Sequence, residues 1–158
     1  MPNAERKILE EAYTLAVQFA GKAHGDQKDL AGDLYFKHPL RVSMEFEPSI
    51  AKIAAVLHDV VEDTDITLDE IIDVFGDEVA EIVDLLTRRK NETYSQFINR
   101  ICWDGNEDAI LIKMADMRDD MDIKRLPEIG DKEMTRLAKY AKMYKRLIQA
   151  LRVRNYAG

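Results

Sequence analysis

Apolar residues recur at every third or fourth position along most of the chain, which is the spacing of one buried face of an α-helix. Strand-like alternation is not evident, and glycine and proline fall between the periodic segments. The pattern predicts helices over residues 4–24, 39–46, 49–63, 68–75, 78–88, 94–103, 107–120 and 132–152. Thr67 and Glu70 fit a capping box at the start of one of them. The expected fold class is all-α, a single helical bundle.

Composition limits the chain to a few functional classes. A length of 158 residues fits one domain, 1–158, that can bury its own core. Lys and Arg number 23 against 30 Asp and Glu, and the net charge of −7 argues against a nucleic-acid partner. The single cysteine, Cys102, cannot form an internal disulfide, and no segment resembles a signal peptide or a membrane span. We therefore expect a cytoplasmic protein with no membrane partner.

The segment 56–64 places ionisable groups inside an otherwise apolar helical pattern. It carries His58, Asp59, Glu62 and Asp63. On a continuous helix, His58 would lie over Glu62 and Asp59 over Asp63, because residues four apart share a face. Burying such groups is costly unless a partner or a metal ion compensates them. A functional site is the simplest interpretation.

Two further residues are candidates to complete a metal site. His38 precedes Pro39, and since proline suits the first turn of a helix, His38 is expected at the cap position. A structural cap is therefore the alternative to a ligand role. Asp116 lies on the face of the 107–120 helix that should be buried, where an isolated carboxylate is costly. It should point at something positive.

Two imidazoles and two carboxylates would suit one divalent ion such as Mn, Fe or Zn. The set would be His38, His58, Asp59 and Asp116. Such an ion can lower the pKa of a bound water and polarise a phosphoryl oxygen, as phosphate-ester hydrolysis requires. Glu62 and Asp63, one turn further on, could position or deprotonate that water.

Five segments in order resemble the HD-type metal-dependent phosphohydrolases, specifically the hydrolase domain of RelA/SpoT-like alarmone enzymes and their small stand-alone members. The segments are 23–28 (AHGDQK), 32–39 (GDLYFKHP), 54–64 (AAVLHDVVEDT), 75–87 (with FGDEV and VDLLT) and 110–116 (ILIKMAD). The HDVVEDT run followed by FG and by IK-x-AD makes the resemblance specific.

The resemblance implies an all-α HD domain that holds one divalent metal, usually Mn²⁺. Its implied ligands are His38, His58, Asp59 and Asp116, and its implied catalytic acids are Glu62 and Asp63. The implied reaction is removal of the 3′-pyrophosphate of (p)ppGpp by water, which leaves GDP or GTP. The chain is too short for an additional synthetase or regulatory domain, so it is expected only to degrade this nucleotide.

Substrate contacts are expected from residues near the acids, and at two places the chain departs from the family pattern. The expected contacts are Lys28, Tyr35, Lys113, Arg118 and Asp120. Where the family carries an arginine and a lysine in the nucleotide site, this chain has Asp29 and Leu30. Asp120 replaces a family asparagine near the ribose, and its charge would repel phosphates unless it is protonated or hydrogen-bonded.

These departures keep two alternatives open. One is a phosphohydrolase for another nucleotide, such as NADPH or a deoxynucleotide. The other is an inactive HD fold that binds a nucleotide as a regulator, although the retained Glu62 and Asp63 argue against it. The partner is in each case a small nucleotide, and the sequence predicts no oligomeric state.

Overall fold

The computed structural model describes the backbone of residues 1–157 and the side chains up to Arg154. Within this part of the chain the secondary structure is helical, apart from an isolated bridge between Lys28 and Leu34. The helices are α1 (Asn3–His24), α2 (Lys37–Ser43), α3 (Ile50–Leu57), α4 (Val60–Asp63), α5 (Leu68–Phe75), α6 (Asp77–Leu86), α7 (Tyr94–Asp104), α8 (Glu107–Asp120) and α9 (Asp131–Ala157), with a 3₁₀ turn at Ile123–Arg125. The predicted all-α class is confirmed.

The chain forms two compact units, one over residues 1–87 and one from residue 88 onward. The expectation of one domain over 1–158 stays a prediction. None of the described helices is both long and apolar enough to cross a membrane.

The first unit is organised around α3, which packs against α1, α2 and α6. Ser49 begins α3 as predicted, because its side chain accepts a hydrogen bond from the Lys52 backbone N–H at 3.2 Å. Six of the eight α3 residues are buried, including Ile53 and Leu57. Truncating a buried leucine such as Leu57 to alanine typically costs about 2–5 kcal/mol. The last turn of α3 is therefore anchored in the core just before the candidate site begins.

The predicted continuous helix over 49–63 is wrong at one point, since α3 ends at Leu57 and α4 starts at Val60. The Nδ1 atom of His58 bonds the carbonyl oxygen of Ala55 at 2.7 Å. This side-chain bond uses a carbonyl that a continuing helix would offer to the Asp59 N–H, and such competition interrupts helices. The interruption places His58 and Asp59 at the junction between the two helices.

The second unit is built on α9, against which both α7 and α8 pack. Thr93 and Gln96 form a capping box at the start of α7, and Asn106 caps α8. The apolar residues buried in this unit include Phe97, Ile98, Ile101, Ile110, Ile112, Met117, Met143 and Leu147. Helix α9 therefore covers a core, as the spacing of its apolar residues predicts.

Candidate metal centre

His58 and Asp59 present two hydrogen-bond acceptors to each other. The Ala55 carbonyl can only accept, so the Nδ1 atom of His58 carries a proton, and Nε2 is the ring nitrogen that faces the site. That Nε2 atom lies 3.1 Å from Oδ2 of Asp59, and the His58 side chain is only 2% exposed. A lone pair and a carboxylate oxygen at this distance need a proton or a metal ion between them. A backbone carbonyl that fixes the outer nitrogen is the usual support of a metal-binding histidine.

His38 joins this pair from α2. Its Nε2 atom lies 3.6 Å from Oδ2 of Asp59, and its ring is 5.4 Å from the ring of His58. The expected cap position is wrong, since Phe36 caps α2 and His38 lies inside its first turn, where it is buried. One ligand atom from each of the three residues lies within 4.8 Å of the others. Two imidazoles and one carboxylate suit a divalent metal ion, so the residues present fit a metal centre.

Tyr35 supports the Asp59 carboxylate from the other side. Its hydroxyl donates to Oδ2 of Asp59 at 2.6 Å, and it also lies within hydrogen-bonding reach of the Asp63 side chain. A hydroxyl on a metal-binding carboxylate restricts the orientation of that carboxylate. Tyr35 therefore links a predicted ligand to a predicted catalytic acid, and its predicted contact with substrate stays a prediction.

Glu62 and Asp63 lie on the single turn of α4, and both side chains are exposed. Partial desolvation raises the pKa of Asp63, and the neighbouring Asp59 carboxylate raises it further. The hydrogen bond from Tyr35 acts in the opposite direction and lowers the same pKa. A carboxyl with a raised pKa is better suited to exchange a proton near neutral pH.

A cavity of about 390 Å³ opens beside Asp63 and is lined by Gln27, Lys28, Tyr35 and Asp63. Its volume lies within the range of small-molecule sites. Two predicted substrate residues, Lys28 and Tyr35, therefore share a cavity with a predicted catalytic acid. Lys28 is exposed and brings a positive charge to this cavity.

The remaining predicted site residues belong to the second unit. Asp116 is 4% exposed, and its Oδ2 atom accepts a hydrogen bond from Nζ of Lys113 at 2.6 Å. A carboxylate oxygen of Asp120 lies within 4.8 Å of one from Asp116. Arg118 donates from Nη1 to the Tyr144 hydroxyl at 2.7 Å. Asp116 thus points at a positive group, as expected. The predicted ligand role of Asp116 and the predicted substrate contacts of Lys113, Arg118 and Asp120 stay predictions.

The departure at position 29 has a local structural role. Oδ1 of Asp29 accepts hydrogen bonds from the backbone N–H groups of Ala31 and Asp33, each at 2.9 Å. Lys37 then pairs with Asp33 at 2.8 Å. Leu30, by contrast, is 76% exposed. The carboxylate of Asp29 therefore holds the 28–34 loop closed, which is a turn role for which aspartate is suited.

Gln27 links His24, at the end of α1, to Asp63, at the end of α4, and the sequence predicts neither Gln27 nor His24 as a site residue. Nε2 of Gln27 donates to the Asp63 backbone oxygen at 2.8 Å, and its Oε1 lies 3.0 Å from Nδ1 of His24. Both residues lie within the AHGDQK segment. The signal that could have found them is the polar pair at the end of α1, but its partner is 36 residues further along the chain.

The profile of the HD domain family matches residues 16–109, well over half of the chain. The chain belongs to the HD domain family. The HD domain and the group of His38, His58 and Asp59 together indicate a divalent metal centre.

Curated relatives extend the comparison. The chain is 33% identical over 129 residues to the GTP pyrophosphokinase rsh of Brucella ovis, a match that covers 73% of the chain and 16% of the relative. It is 33% identical over 141 residues to the guanosine-3′,5′-bis(diphosphate) 3′-pyrophosphohydrolase of Aquifex aeolicus, which covers 82% of the chain and 20% of that protein. This HD domain chain therefore spans a fifth or less of the length of these two relatives.

A solved structure shows the same fold. It is described as a metazoan ortholog of SpoT that hydrolyzes ppGpp and plays a role in starvation responses. The match has a TM-score of 0.70 and 24% identity, and it covers 96% of the chain and 88% of the other protein. The chain therefore shares its fold with that protein over nearly its whole length.

Proposed function

We propose that the chain is a metal-dependent phosphohydrolase that removes the 3′-pyrophosphate of (p)ppGpp and yields GDP or GTP and pyrophosphate. The observation that carries the metal dependence is the approach of the His58 Nε2 lone pair to Oδ2 of Asp59 at 3.1 Å, with His38 beside them. The proposed substrate is inferred from the relatives, because the Aquifex aeolicus protein is named for this hydrolysis. The cavity beside Asp63 supports a small-molecule substrate.

The proposed ligands are His38, His58, Asp59 and Asp116, and the proposed ion is Mn²⁺. The first three fit one ion by their geometry in the first unit. Asp116 is proposed from the resemblance of the IK-x-AD segment, and as a ligand its carboxylate would be shared between the ion and Lys113, which lies 2.6 Å away. The mixed nitrogen and oxygen set without thiolate favours manganese, iron or zinc over magnesium. Replacing Asp116 with asparagine should weaken Mn²⁺ binding in a calorimetric titration, and unchanged affinity would remove Asp116 from the set.

In the proposed reaction a water oxygen attacks the phosphorus atom attached to the ribose 3′-oxygen. The bond from that phosphorus to the 3′-oxygen breaks, and the 3′-oxygen leaves with a proton as a hydroxyl group. When bound, the metal ion supplies Lewis acidity and a more acidic water. Asp63 accepts the water proton, for which its raised pKa suits it, and Glu62 orients the water.

Substrate binding is proposed to use Lys28 and Tyr35 at the cavity, with Lys113 and Arg118 as further phosphate contacts and Asp120 near the ribose. Lys28 supports this directly, since it is exposed and lines the cavity together with Asp63. A positive side chain at this place would neutralise part of the pyrophosphate charge.

The loop 28–34 favours a second candidate, a phosphohydrolase for another nucleotide such as NADPH or a deoxynucleotide. The Asp29 carboxylate is occupied by two backbone N–H groups, and Leu30 offers an exposed apolar side chain. Neither residue supplies the two positive charges that the alarmone hydrolases carry there. Base recognition can therefore differ even where the chemistry at the phosphorus is the same.

The experiment is a turnover assay of metal-free protein with and without Mn²⁺ on ppGpp, NADPH and a panel of deoxynucleotides. Ion-exchange chromatography separates the products. Manganese-dependent release of GDP and pyrophosphate is expected, and Glu62→Gln should bind metal but lose turnover. Glu81→Gln, an exposed change on α6, is the matched control. Phosphate release from another nucleotide would show that this nucleotide, and not ppGpp, is the substrate. No turnover by a metal-loaded protein would favour the inactive nucleotide-binding regulator.

A further inference from the structure

Gln27 makes hydrogen bonds at both ends of its side chain, and these bonds fix its orientation. The Asp63 backbone oxygen can only accept, so the group facing it at 2.8 Å must be the NH₂ of Gln27. The amide oxygen of Gln27 therefore faces Nδ1 of His24 at 3.0 Å. Because that oxygen can only accept, Nδ1 of His24 carries a proton.

The main chain of Gln27 is fixed as well. Its N–H donates to the His24 carbonyl at 3.1 Å, and its carbonyl accepts from the Tyr35 N–H at 2.8 Å. His24 is the last residue of α1 and is 2% exposed, so its ring is held firmly by packing. The described residues offer no hydrogen-bond partner to its Nε2 atom, and Gln27 is therefore the partner that sets the direction of the Nδ1 edge.

Helix α4 needs support from outside. It has four residues, and the last carbonyl groups of a helix have no partner within the helix. A single turn is also only marginally stable by itself, since nucleation of a helix is unfavourable. Thr64 covers the Val60 carbonyl through its N–H and its hydroxyl. Gln27 covers the carbonyl of Asp63 in the same way.

We propose that His24 and Gln27 are positioning residues for Asp63: His24 orients the Gln27 amide, and Gln27 fixes the end of α4 so that the Asp63 carboxyl stays beside the Tyr35 hydroxyl. This inference rests on the proposed role of Asp63 in hydrolysis. Neither residue touches the reacting atoms. Loss of either residue should therefore lower kcat and leave Mn²⁺ affinity nearly unchanged, and loss of His24, which does not line the cavity, should leave KM nearly unchanged as well.

Gln27→Glu is the sharpest test, because it keeps the side-chain shape and the acceptor for His24 but removes the donor to Asp63. We expect kcat to fall at least tenfold, with the Mn²⁺ dissociation constant within twofold of wild type, whereas KM rises because the new charge lies in the cavity that Gln27 lines. Gln18→Glu makes the same chemical change at an exposed position of α1 and should leave all three values unchanged. Wild-type kcat in Gln27→Glu would overturn the proposal. If Gln27→Glu does not fold, Gln27→Leu takes its place, and we expect the same fall in kcat and the same unchanged Mn²⁺ dissociation constant.

The His24 variants test the other half of the link. His24→Ala should lower kcat as Gln27→Glu does, whereas His24→Asn should restore most of it, because an asparagine amide can place an N–H near the position of Nδ1. Equal losses of kcat in the two His24 variants would show that the ring acts only by filling space, and the proposal would fail.

Amide hydrogen exchange separates this inference from the proposed function. The N–H groups of Asp63 and Thr64 bond the carbonyls of Asp59 and Val60, so their protection reports on α4. Exchange should be faster in Gln27→Glu and His24→Ala but not in His24→Asn. If the wild-type protein turns over no nucleotide, the proposed function fails, but amide exchange still tests whether Gln27 and His24 position α4. The expected exchange pattern would support this positioning, and unchanged exchange in the variants would overturn it.

Discussion

Nε2 of His58 lies 3.1 Å from Oδ2 of Asp59, at the place where α3 gives way to α4. The proton of the imidazole is on the opposite nitrogen, which bonds the Ala55 carbonyl. Two lone pairs in a site with little solvent repel each other unless a proton or a metal ion lies between them. Nε2 of His38 lies 3.6 Å from the same carboxylate oxygen, so a divalent ion placed here would meet two imidazole nitrogens and one carboxylate oxygen.

The proposed metal centre predicts which substitutions abolish metal binding. His58→Ala and Asp59→Ala should each abolish stoichiometric Mn²⁺ binding, because each removes one of the four proposed ligands of the same ion. Metal content of dialysed protein, measured by inductively coupled plasma mass spectrometry, checks it. His24→Ala is the matched histidine control, and it should retain metal, since His24 is not among the grouped donors. Unchanged metal content in His58→Ala would show that the site lies elsewhere.

Much of the fold could be predicted from the sequence, because helical periodicity and caps are local. The predicted segments 68–75 and 107–120 agree with α5 and α8 residue for residue, and the predicted Thr67 capping box is present. The interruption at His58 could not be predicted from periodicity. It depends on a side-chain bond to the Ala55 carbonyl, and the apolar pattern of 49–63 continues through it.

Within the candidate site, the sequence predicts the residues whose type differs from their surroundings. His38, His58 and Asp59 are unusual in an apolar context, and the structure brings these three together. Gln27 and Tyr35 have ordinary residue types for a loop. Their contacts with Asp63 and Asp59 join positions 36 and 24 residues apart, and tertiary structure alone creates them.

Tyr35→Phe should weaken Mn²⁺ binding by roughly tenfold to a hundredfold, the usual cost of losing a hydrogen bond to a metal ligand. The variant removes only the hydroxyl that donates to Asp59 at 2.6 Å. Tyr13→Phe is the matched control, because the Tyr13 hydroxyl makes a comparable 2.8 Å bond to Ser43. Calorimetric titration with Mn²⁺ measures both. Equal affinities in the two variants would contradict a supporting role for Tyr35.

Asp29→Asn should preserve the 28–34 loop, whereas Asp29→Ala should loosen it. The asparagine oxygen can still accept from the N–H groups of Ala31 and Asp33, but alanine offers no acceptor. Amide exchange at these two positions should accelerate only in the alanine variant. An arginine at position 29 should behave like alanine in exchange, so it would loosen the loop before it could help a nucleotide bind. Protected amides in Asp29→Ala would show that the loop closes without this carboxylate.

The ion pair of Glu92 and Arg100 predicts a pH dependence of stability. Two hydrogen bonds from Arg100, at 2.7 and 3.0 Å, hold the pKa of Glu92 below its ordinary value near 4.5. A carboxyl with a lowered folded-state pKa contributes stability that is fully present above its unfolded pKa and is lost as pH falls through the folded pKa. Glu92→Gln should therefore cost about 1–3 kcal/mol at pH 7 and progressively less below pH ~4.

Urea unfolding at a series of pH values measures this difference. Glu10→Gln breaks the exposed Arg6 pair and is the control, since its side chains are more than half exposed and the pair contributes little. A constant difference between Glu92→Gln and wild type from pH 7 to pH 3 would mean that the amide costs stability for a reason other than charge.

Lys113 and Asp116 form a buried pair at 2.6 Å, with side chains 10% and 5% exposed, and the Lys113 ammonium lies 4.9 Å from the centre of the Phe97 ring. Removing one partner of such a pair typically costs about 3–5 kcal/mol, because the other charge stays buried. Lys113→Met should therefore be destabilised in EDTA, and the double variant of Lys113→Met and Asp116→Asn should recover part of the lost stability.

If Asp116 is a metal ligand, saturating Mn²⁺ should stabilise Lys113→Met more than wild type, since the ion then meets no competing ammonium. Thermal unfolding with and without Mn²⁺ measures this difference, and equal shifts in melting temperature would argue against Asp116 as the fourth ligand.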